Sequence, residues 1–248
     1  MKSCFSLFYM LFFNLGFSQV VPKEVQALLK VYPNEIRSFK ENKLFFKDGT
    51  SLIYNDFKTK TTSDLISKPD IEDQFSFNYS KNNTHQNDAG RIRNEEFFKK
   101  IYGTTKAMVE KNLVTISWCP KLVNRKIRVT TVNGFNKIVE KLSSELDSNP
   151  KFKKYISNIG GTFNWRKIAG TNRLSMHSFG MTIDINVKYS DYWQWKCNCS
   201  DESKEVNYQN QIPFEIVKIF EKYGFIWGGN WTHFDTMHFE YRPEFFEL

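Results

Sequence analysis

Histidine and cysteine are scarce in this sequence, which limits the places where reactive chemistry can lie. The 248 residues include four histidines and four cysteines. Loss of Cys4 with a cleaved leader would leave an odd number of cysteines and exclude complete internal pairing. The pair Cys197 and Cys199 has no second pair or nearby histidine that would complete a metal site. Two interpretations stay open: Cys119 forms a disulfide with one of the two, or all three are incidental thiols.

Long hydrophobic runs are absent beyond the N-terminus. Residues 1–18 combine one lysine, a short apolar run and the small residues Gly16 and Ser18, which predicts an export signal cleaved near Ser18. The alternative is a retained anchor, although the run is short for a membrane span and is interrupted by Asn14. No later segment is long and apolar enough to cross a bilayer. We therefore expect an exported protein, in the periplasm, at the cell surface or outside the cell, without a stable membrane span after signal cleavage.

Acidic residues are fewer than basic residues. The sequence has 35 lysines and arginines and 27 aspartates and glutamates, which gives a net charge of +8. The basic residues are scattered and form no recognition motif, so we do not expect nucleic acid as a partner. An exported basic protein is instead attracted to anionic polymers and to the carboxylates of peptides. We expect it to act as a monomer.

The sequence also lacks an internal repeat, and no serine lies in the glycine pattern of a nucleophile elbow, which argues against a Ser/His/Asp hydrolase. A hydrophobic content of 40% is sufficient for a real core. We divide the chain into a signal peptide (residues 1–18), an accessory N-terminal extension (residues 19–92) and a main domain (residues 93–248).

Hydrophobic spacing and turn signals predict a mixed fold. In the extension they predict a helix over residues 22–31, a hairpin over 44–54 and mostly loop over 59–92, where His85 is a solvated loop residue. In the main domain they predict helices after Asn94, Asn133 and Pro213, and strands over 114–118, 127–132, 162–165 and 181–187. An aromatic insertion over 188–211 is either a lid or packing over a sheet edge. The order indicates an α+β domain with helices packed on one face of a central antiparallel sheet.

Two segments combine histidines with carboxylates. After Gly180, the sequence alternates so that Met181, Ile183, Ile185 and Val187 face the core while Thr182, Asp184 and Asn186 face the other way. A turn at Gly180 would fold His177 back over that polar face. Near the C-terminus Met237, Phe239 and Tyr241 form one face, and His238 and Glu240 the other.

If these two strands are neighbours, Asp184, His238 and His177 lie together on the open face of the sheet. Two imidazoles and one carboxylate with a position left open form the ligand set of a catalytic zinc site, although another divalent metal is an alternative. His233, five residues before His238, is a rival ligand, a pocket residue or a plain loop residue.

The pattern Ser-x-His-(x)6-Asp followed by Asp-x-x-His-Phe-Glu resembles the zinc metallopeptidases that cut D-amino-acid bonds in bacterial cell-wall peptides. These include the D-alanyl-D-alanine carboxypeptidases and dipeptidases of the VanY/VanX type and the L-alanyl-D-glutamate endolysin peptidases. The resemblance extends over roughly residues 93–248. It implies that His177, Asp184 and His238 are the zinc ligands.

The resemblance further implies that Asp235 is the catalytic base and that Arg166 stabilises the developing oxyanion. Glu240 is the alternative base and Arg173 the alternative arginine. Many carboxypeptidases of the family have glutamate where this chain has Asp235, whereas the endolysin-like branch has aspartate. Ser175 either hydrogen-bonds the substrate or caps the turn.

The function implied is that of an exported zinc peptidase acting on peptidoglycan stem peptides, either trimming terminal D-alanine or cutting between L-alanine and D-glutamate. A zinc ion with three protein ligands lowers the pKa of its water to about 7 and polarises the scissile carbonyl. The alternative is a non-catalytic zinc-binding cell-wall module of the same fold.

Overall fold

The computed structural model describes residues 20–81 and 87–248. The predicted signal peptide and His85 lie outside these ranges. The helices are α1 Lys23–Val31, α2 Thr62–Ser67, α3 Glu95–Tyr102, α4 Lys106–Lys111, α5 Phe135–Leu146, α6 Lys153–Ile156, α7 Trp193–Cys197 and α8 Phe214–Lys222. Within the described ranges, no helix combines the length and the hydrophobicity that a membrane span requires.

The strands are β1 Ile36–Lys40, β2 Lys43–Phe46, β3 Ser51–Ile53, β4 Leu113–Trp118, β5 Arg125–Thr130, β6 Ile159–Gly161, β7 Thr182–Asn186, β8 Phe225–Trp227 and β9 His238–Tyr241. Short 3₁₀ turns lie between them, including Met176–Phe179 and Pro243–Phe246. Strands β1, β2 and β3 form one antiparallel sheet, β4 and β5 form a ribbon, and a four-stranded antiparallel sheet has the order β6-β7-β9-β8. This mixture of helices and antiparallel sheets confirms the α+β prediction.

The four-stranded sheet carries its core on the face opposite the histidines. Phe220 of α8 stacks on Phe239 of β9 with ring centroids 3.7 Å apart. Phe135 of α5 contacts Phe225 of β8 at 5.5 Å between centroids. Burying an apolar side chain of this size contributes roughly 1.5–3 kcal/mol. The helices therefore fix the sheet on one side and leave its polar side available.

Residues of the predicted extension join the same hydrophobic core. Val25, Leu28 and Leu44 are fully buried within the cluster that also contains Phe220 and Phe239. The β2–β3 hairpin forms as predicted, with Leu44 paired to Leu52. The division at residue 92 remains a prediction from sequence.

Strand β6 lies earlier than the sequence indicated. The prediction of a strand over 162–165 is wrong, because the pairing with β7 is made by Ile159 and Gly161. Residues 162–166 continue as an irregular segment that reaches the site. The helix expected from Asn133 begins instead at Phe135, because Asn133 and Gly134 both have positive φ.

The cysteines pair in a way that the sequence did not predict. Cys197 and Cys199 form a disulfide at the end of α7, and Cys119 is free and buried. Both interpretations from the sequence are therefore wrong, because Cys119 joins neither of the other two and Cys197 and Cys199 are not free thiols. The disulfide joins the last residue of α7 to the loop that follows it inside the aromatic insertion.

Candidate active site

Three side chains of the predicted metal site converge because of one strand register. Strands β7 and β9 are antiparallel neighbours, and Asp184 lies directly opposite His238. Gly180 has φ of 67°, a left-handed conformation that suits glycine, and it ends the 3₁₀ turn that carries His177. The turn therefore brings His177 over the Asp184–His238 pair, as the alternation of the sequence predicted.

The potential ligand atoms of the three residues face one another. His177 Nε2 lies 3.0 Å from Asp184 Oδ2, and His238 Nδ1 lies 2.9 Å from Asp184 Oδ1. One ligand atom from each residue fits within a group whose members are all within 4.8 Å of one another. This group can hold a metal ion.

The outer nitrogen of each imidazole has its own acceptor. His177 Nδ1 lies 3.2 Å from the carbonyl oxygen of Thr162, and His238 Nε2 lies 3.3 Å from Glu240 Oε2. Donation from these outer nitrogens leaves Nε2 of His177 and Nδ1 of His238 available as ligands. Such outer partners fix the tautomer and orientation of metal-binding histidines, so the residues present fit a bound cation.

The charges in this group influence one another. Burial opposes ionisation of Asp184, but the charge of His177 and hydrogen bonds from both histidines outweigh burial and lower the pKa of Asp184. Burial also opposes protonation of His238, yet hydrogen bonds to Asp184 and Glu240 raise the pKa of His238 to about 10. Asp184 thus stays anionic, and a metal ion competes with a proton at His238.

Glu240 lies behind His238 in a buried ionic network. Arg93 Nη2 donates to Glu240 Oε2 at 2.6 Å, and Arg242 Nη1 donates to Glu240 Oε1 at 3.2 Å. Burial disfavours the ionised form of Glu240, but the charge of Arg93 leads the interactions that lower its pKa. The side chain is fully buried and does not line the cleft, which disfavours Glu240 as the catalytic base. Contact between Glu240 and the outer nitrogen of His238 was not predicted from the sequence, although its position two residues after His238 on the same strand face was the signal for it.

Asp235 lines a cleft of about 520 Å³ together with the three potential ligands. Its backbone N–H donates to the Gly228 carbonyl at 2.9 Å, and its segment bridges to Tyr192 of the insertion. Its Oδ1 atom is buried without a hydrogen-bond partner among the described residues. Burial, followed by the negative charge of Asp184, raises the pKa of Asp235 to about 7. A carboxylate with a free oxygen and a raised pKa is suited to exchange protons.

Arg166 and Ser175 line the same cleft. The backbone N–H of Ser175 donates to the Arg166 carbonyl at 2.9 Å, which holds the two residues side by side. Arg166 is exposed, and Ser175 is buried at the start of the 3₁₀ turn without a capping bond from its hydroxyl. The alternative role of the Ser175 hydroxyl as a turn cap is therefore not observed.

His233 occupies the wall of the cleft rather than the metal group. Its Nδ1 lies 2.7 Å from Asp88 Oδ2, and its Nε2 lies 3.0 Å from the Glu202 carbonyl. Trp193 of the insertion packs edge-on against the His233 ring at 4.8 Å between centroids. The insertion thus forms one wall of the cleft.

Comparison with known proteins gives one match. Residues 169–241 match the model of a peptidase family described as D-alanyl-D-alanine carboxypeptidase. This segment includes His177, Asp184, Asp235 and His238, whereas Arg166 lies just before it. No curated protein and no solved structure matches the chain. The matched segment is shorter than the range over which the sequence suggested similarity, but it confirms the resemblance: the segment that contributes the three potential ligands and Asp235 to the cleft is similar to the D-alanyl-D-alanine carboxypeptidase family of peptidases.

Proposed function

We propose that this chain is an exported zinc metallopeptidase that hydrolyses peptide bonds in peptidoglycan stem peptides. The observation that carries the proposal is the convergence of His177, Asp184 and His238 beside Asp235 in one cleft. The family match over residues 169–241 supports peptide hydrolysis as the reaction.

The donor set supports zinc as the metal. Two imidazole nitrogens and one carboxylate oxygen form a three-ligand set of the kind that catalytic zinc sites use, with a position left for water or substrate. Bound zinc would supply a water of lowered pKa and would polarise the scissile carbonyl.

Asp235 is proposed as the general base. Its carboxylate would accept a proton from the attacking water in the cleft and would pass that proton to the leaving amine. A cation held by His177, Asp184 and His238 would favour the ionised form of Asp235 and so oppose the effect of its burial.

Arg166 and Ser175 are proposed to act on the substrate. The guanidinium of Arg166 is exposed in the cleft, and its side chain donates only a 3.4 Å hydrogen bond to the Lys167 carbonyl among the described residues. It can therefore turn toward a developing oxyanion, which a permanently charged guanidinium stabilises. The Ser175 hydroxyl would hydrogen-bond the substrate backbone.

Charge and cysteine pairing support the substrate class and the compartment. A chain with a net charge of +8 is attracted to the anionic cell wall, whose stem peptides carry carboxylates. The Cys197–Cys199 disulfide is typical of an oxidising compartment outside the cytosol. Peptidoglycan peptides, without nucleic acid, are therefore the proposed partners of a monomeric enzyme.

The test is mass spectrometry of defined muropeptides after incubation with the purified protein, with chelator and with zinc restored. Loss of one D-alanine would identify a carboxypeptidase, and release at the L-alanyl-D-glutamate bond an endopeptidase. Cleavage that persists after complete metal removal would contradict the proposal.

Asp235→Asn separates an enzyme from a non-catalytic zinc-binding module. We expect this variant to retain zinc and lose at least about 100-fold in turnover, because it removes the general base. Zinc content and cleavage rate are measured on the same preparation. Wild-type protein that binds zinc but cleaves no muropeptide would favour the binding module.

A further inference from the structure

Four arginines line the cleft, and two of them are neutralised by neighbouring carboxylates. Arg91 Nη1 lies 2.9 Å from Asp88 Oδ2, and Arg91 Nη2 lies 2.7 Å from Glu202 Oε1. Arg93 Nη2 lies 2.6 Å from Glu240 Oε2. These two guanidiniums therefore serve ion pairs of the protein itself.

Among the described residues, the side chains of the other two, Arg166 and Arg173, form no ion pair with a carboxylate. Within residues 20–81 and 87–248, the Arg173 guanidinium makes no hydrogen bond and no ion pair, although the residue is half-buried. Its burial, and then the positive charges of Arg93 and Arg91, lower the pKa of Arg173, and the negative charges of Glu202 and Glu95 offset this only in part. A partly desolvated cation beside like charges is unfavourable unless an anion joins it. Arg166 already has a proposed role at the oxyanion, so Arg173 is the cation without one.

The backbone that carries Arg173 is held in place. The backbone N–H of Ile168 donates to the Arg173 carbonyl at 2.9 Å, and Lys167 bridges Leu174 in antiparallel fashion. Glu95 of α3 accepts a hydrogen bond from the backbone N–H of Leu174 at 2.7 Å. The side chain therefore projects from a turn whose backbone is held in place before any ligand arrives.

Arg173 also borders a second cavity of about 330 Å³, which lies between α3 and the 167–174 turn. Arg93, Arg173 and Met176 line both this cavity and the cleft. Arg173 is therefore within reach of a ligand in either cavity.

We infer that Arg173 is a specificity-determining residue that binds a free carboxylate of the peptide substrate. A planar guanidinium binds a carboxylate through two parallel hydrogen bonds, which fixes direction as well as charge. Stem peptides offer two carboxylates of this kind: the one at their C-terminus and the one of D-glutamate. The inference rests on the proposed function and adds the chemical group that the substrate must present.

The experiment compares three peptides: the parent stem peptide, its C-terminal amide and its D-isoglutamine form. Wild-type protein is expected to lose about tenfold or more in kcat/KM on one of the two amides, because a charge-assisted hydrogen bond is lost. Arg173→Met is expected to lose a similar factor on the parent peptide and to show no further loss on that same amide. Arg173→Lys restores part of the preference, since it keeps the charge without the bidentate geometry.

Lys167→Met is the matched control, because Lys167 is an exposed cation in the same turn that does not line the cleft. It should retain the wild-type preference. Zinc content and the thermal midpoint of each variant show whether the fold and the metal group are intact. If Arg173→Met distinguishes parent from amide as strongly as wild type does, the inference is wrong.

Failure of the proposed function gives a different result, in which wild-type protein cleaves none of the three peptides. Binding of the parent peptide and its amides is then measured directly by calorimetry on wild type and Arg173→Met. Equal binding of all three peptides by wild type would overturn the inference. Tighter binding of the parent that Arg173→Met abolishes would support it even without catalysis.

Discussion

At the scale of single residues, His238 depends on a side chain that is buried behind it. Glu240 accepts the hydrogen bond of His238 Nε2 and is itself bound by Arg93 and Arg242. This arrangement directs His238 Nδ1 at Asp184. Outer partners of this kind typically contribute a factor of about 10–100 to metal affinity.

We therefore predict that Glu240→Gln lowers zinc affinity by about 10- to 100-fold. The matched control is Glu244→Gln. Glu244 is also buried and bound to Arg242, and it lies six positions after His238 in the sequence. Each substitution removes a carboxylate from a buried arginine and should cost about 3–5 kcal/mol of stability. Zinc affinity is measured by competition with a chromogenic chelator, with His177→Ala as the reference for a lost ligand. Equal zinc affinity in the two glutamine variants would contradict the orienting role of Glu240.

At the scale of elements, the turn at Gly180 determines where His177 lies. A Cβ atom added at Gly180 would stand 2.7 Å from Leu113 Cδ2 and 3.4 Å from the Thr130 nitrogen. Gly49 has a similar positive φ of 86°, but nothing lies within 4 Å of its added Cβ. Comparing alanine substitutions at the two glycines therefore separates the energetic cost of the left-handed backbone conformation from the cost of close packing.

We predict that Gly49→Ala costs about 1–2 kcal/mol, from the left-handed backbone conformation alone. Gly180→Ala should cost more than Gly49→Ala, because the end of the Leu113 side chain must move away from the added methyl group. It should also reduce zinc occupancy, since His177 lies within the displaced turn. Urea denaturation and metal analysis of both variants test this. Equal stability losses would show that the contact with Leu113 is relieved without cost.

The ion pair between His233 and Asp88 connects two elements of the cleft wall. The hydrogen bond to Asp88 is the main cause that raises the pKa of His233 above its ordinary value, and burial opposes it. Stability from this pair is complete below the unfolded-state pKa of about 6.5 and is lost as the pH rises through the higher folded-state pKa.

We predict that His233→Gln destabilises the protein more at pH 6 than at pH 9. Asp88→Asn should remove the same pH dependence. Urea midpoints of the three proteins at both pH values provide the measurement. If His233→Gln loses the same stability at both pH values, His233 is neutral when it is paired with Asp88.

At the scale of the whole molecule, one cysteine reports on global unfolding. Cys119 is fully buried in the hydrophobic core, and burial raises the pKa of its thiol to about 12. A thiol that is neither exposed nor ionised is unreactive toward disulfide reagents.

We predict that the chain beginning at Gln19 shows no fast-reacting thiol at pH 8 while folded. Denaturation should expose one thiol, and denaturation with prior reduction should expose three, because Cys197 and Cys199 are paired. Titration with a chromogenic disulfide reagent gives these numbers. Three thiols after denaturation without a reductant would contradict the disulfide.

The sequence predicted those parts of the fold in which the spacing of apolar side chains corresponds to the positions that are buried. The alternation around Asp184 and His238 predicted two strands, which the fold places side by side, and Asn94 marked the start of α3 correctly. Strand β6 was misplaced because Gly160 and Gly161 give no side-chain alternation, and its pairing uses backbone alone. Val187, expected in the core, is exposed because the chain leaves the strand at Asn186.

The remaining parts depend on contacts between residues far apart in the chain. Arg93 reaches Glu240 across 147 positions, and Tyr32, which directly follows α1, donates to Glu244 at 3.0 Å across 212 positions. Local spacing carries no information about such partners. The unpaired state of Arg173 is equally a property of the assembled cleft, because it depends on which carboxylates the fold brings to the other arginines.

The direct pairing of Asp184 with His238 also means that a bound metal would favour the correct register of β7 and β9 over mispaired registers. A slip of one residue between β7 and β9 would turn Asp184 to the opposite face and present Ile183 or Ile185 in its place. Mispaired chains would then lose both metal binding and the proposed peptide hydrolysis. A cation that binds only the correct pairing would stabilise it by mass action, so metal supply would select correctly folded protein from its misfolded alternatives.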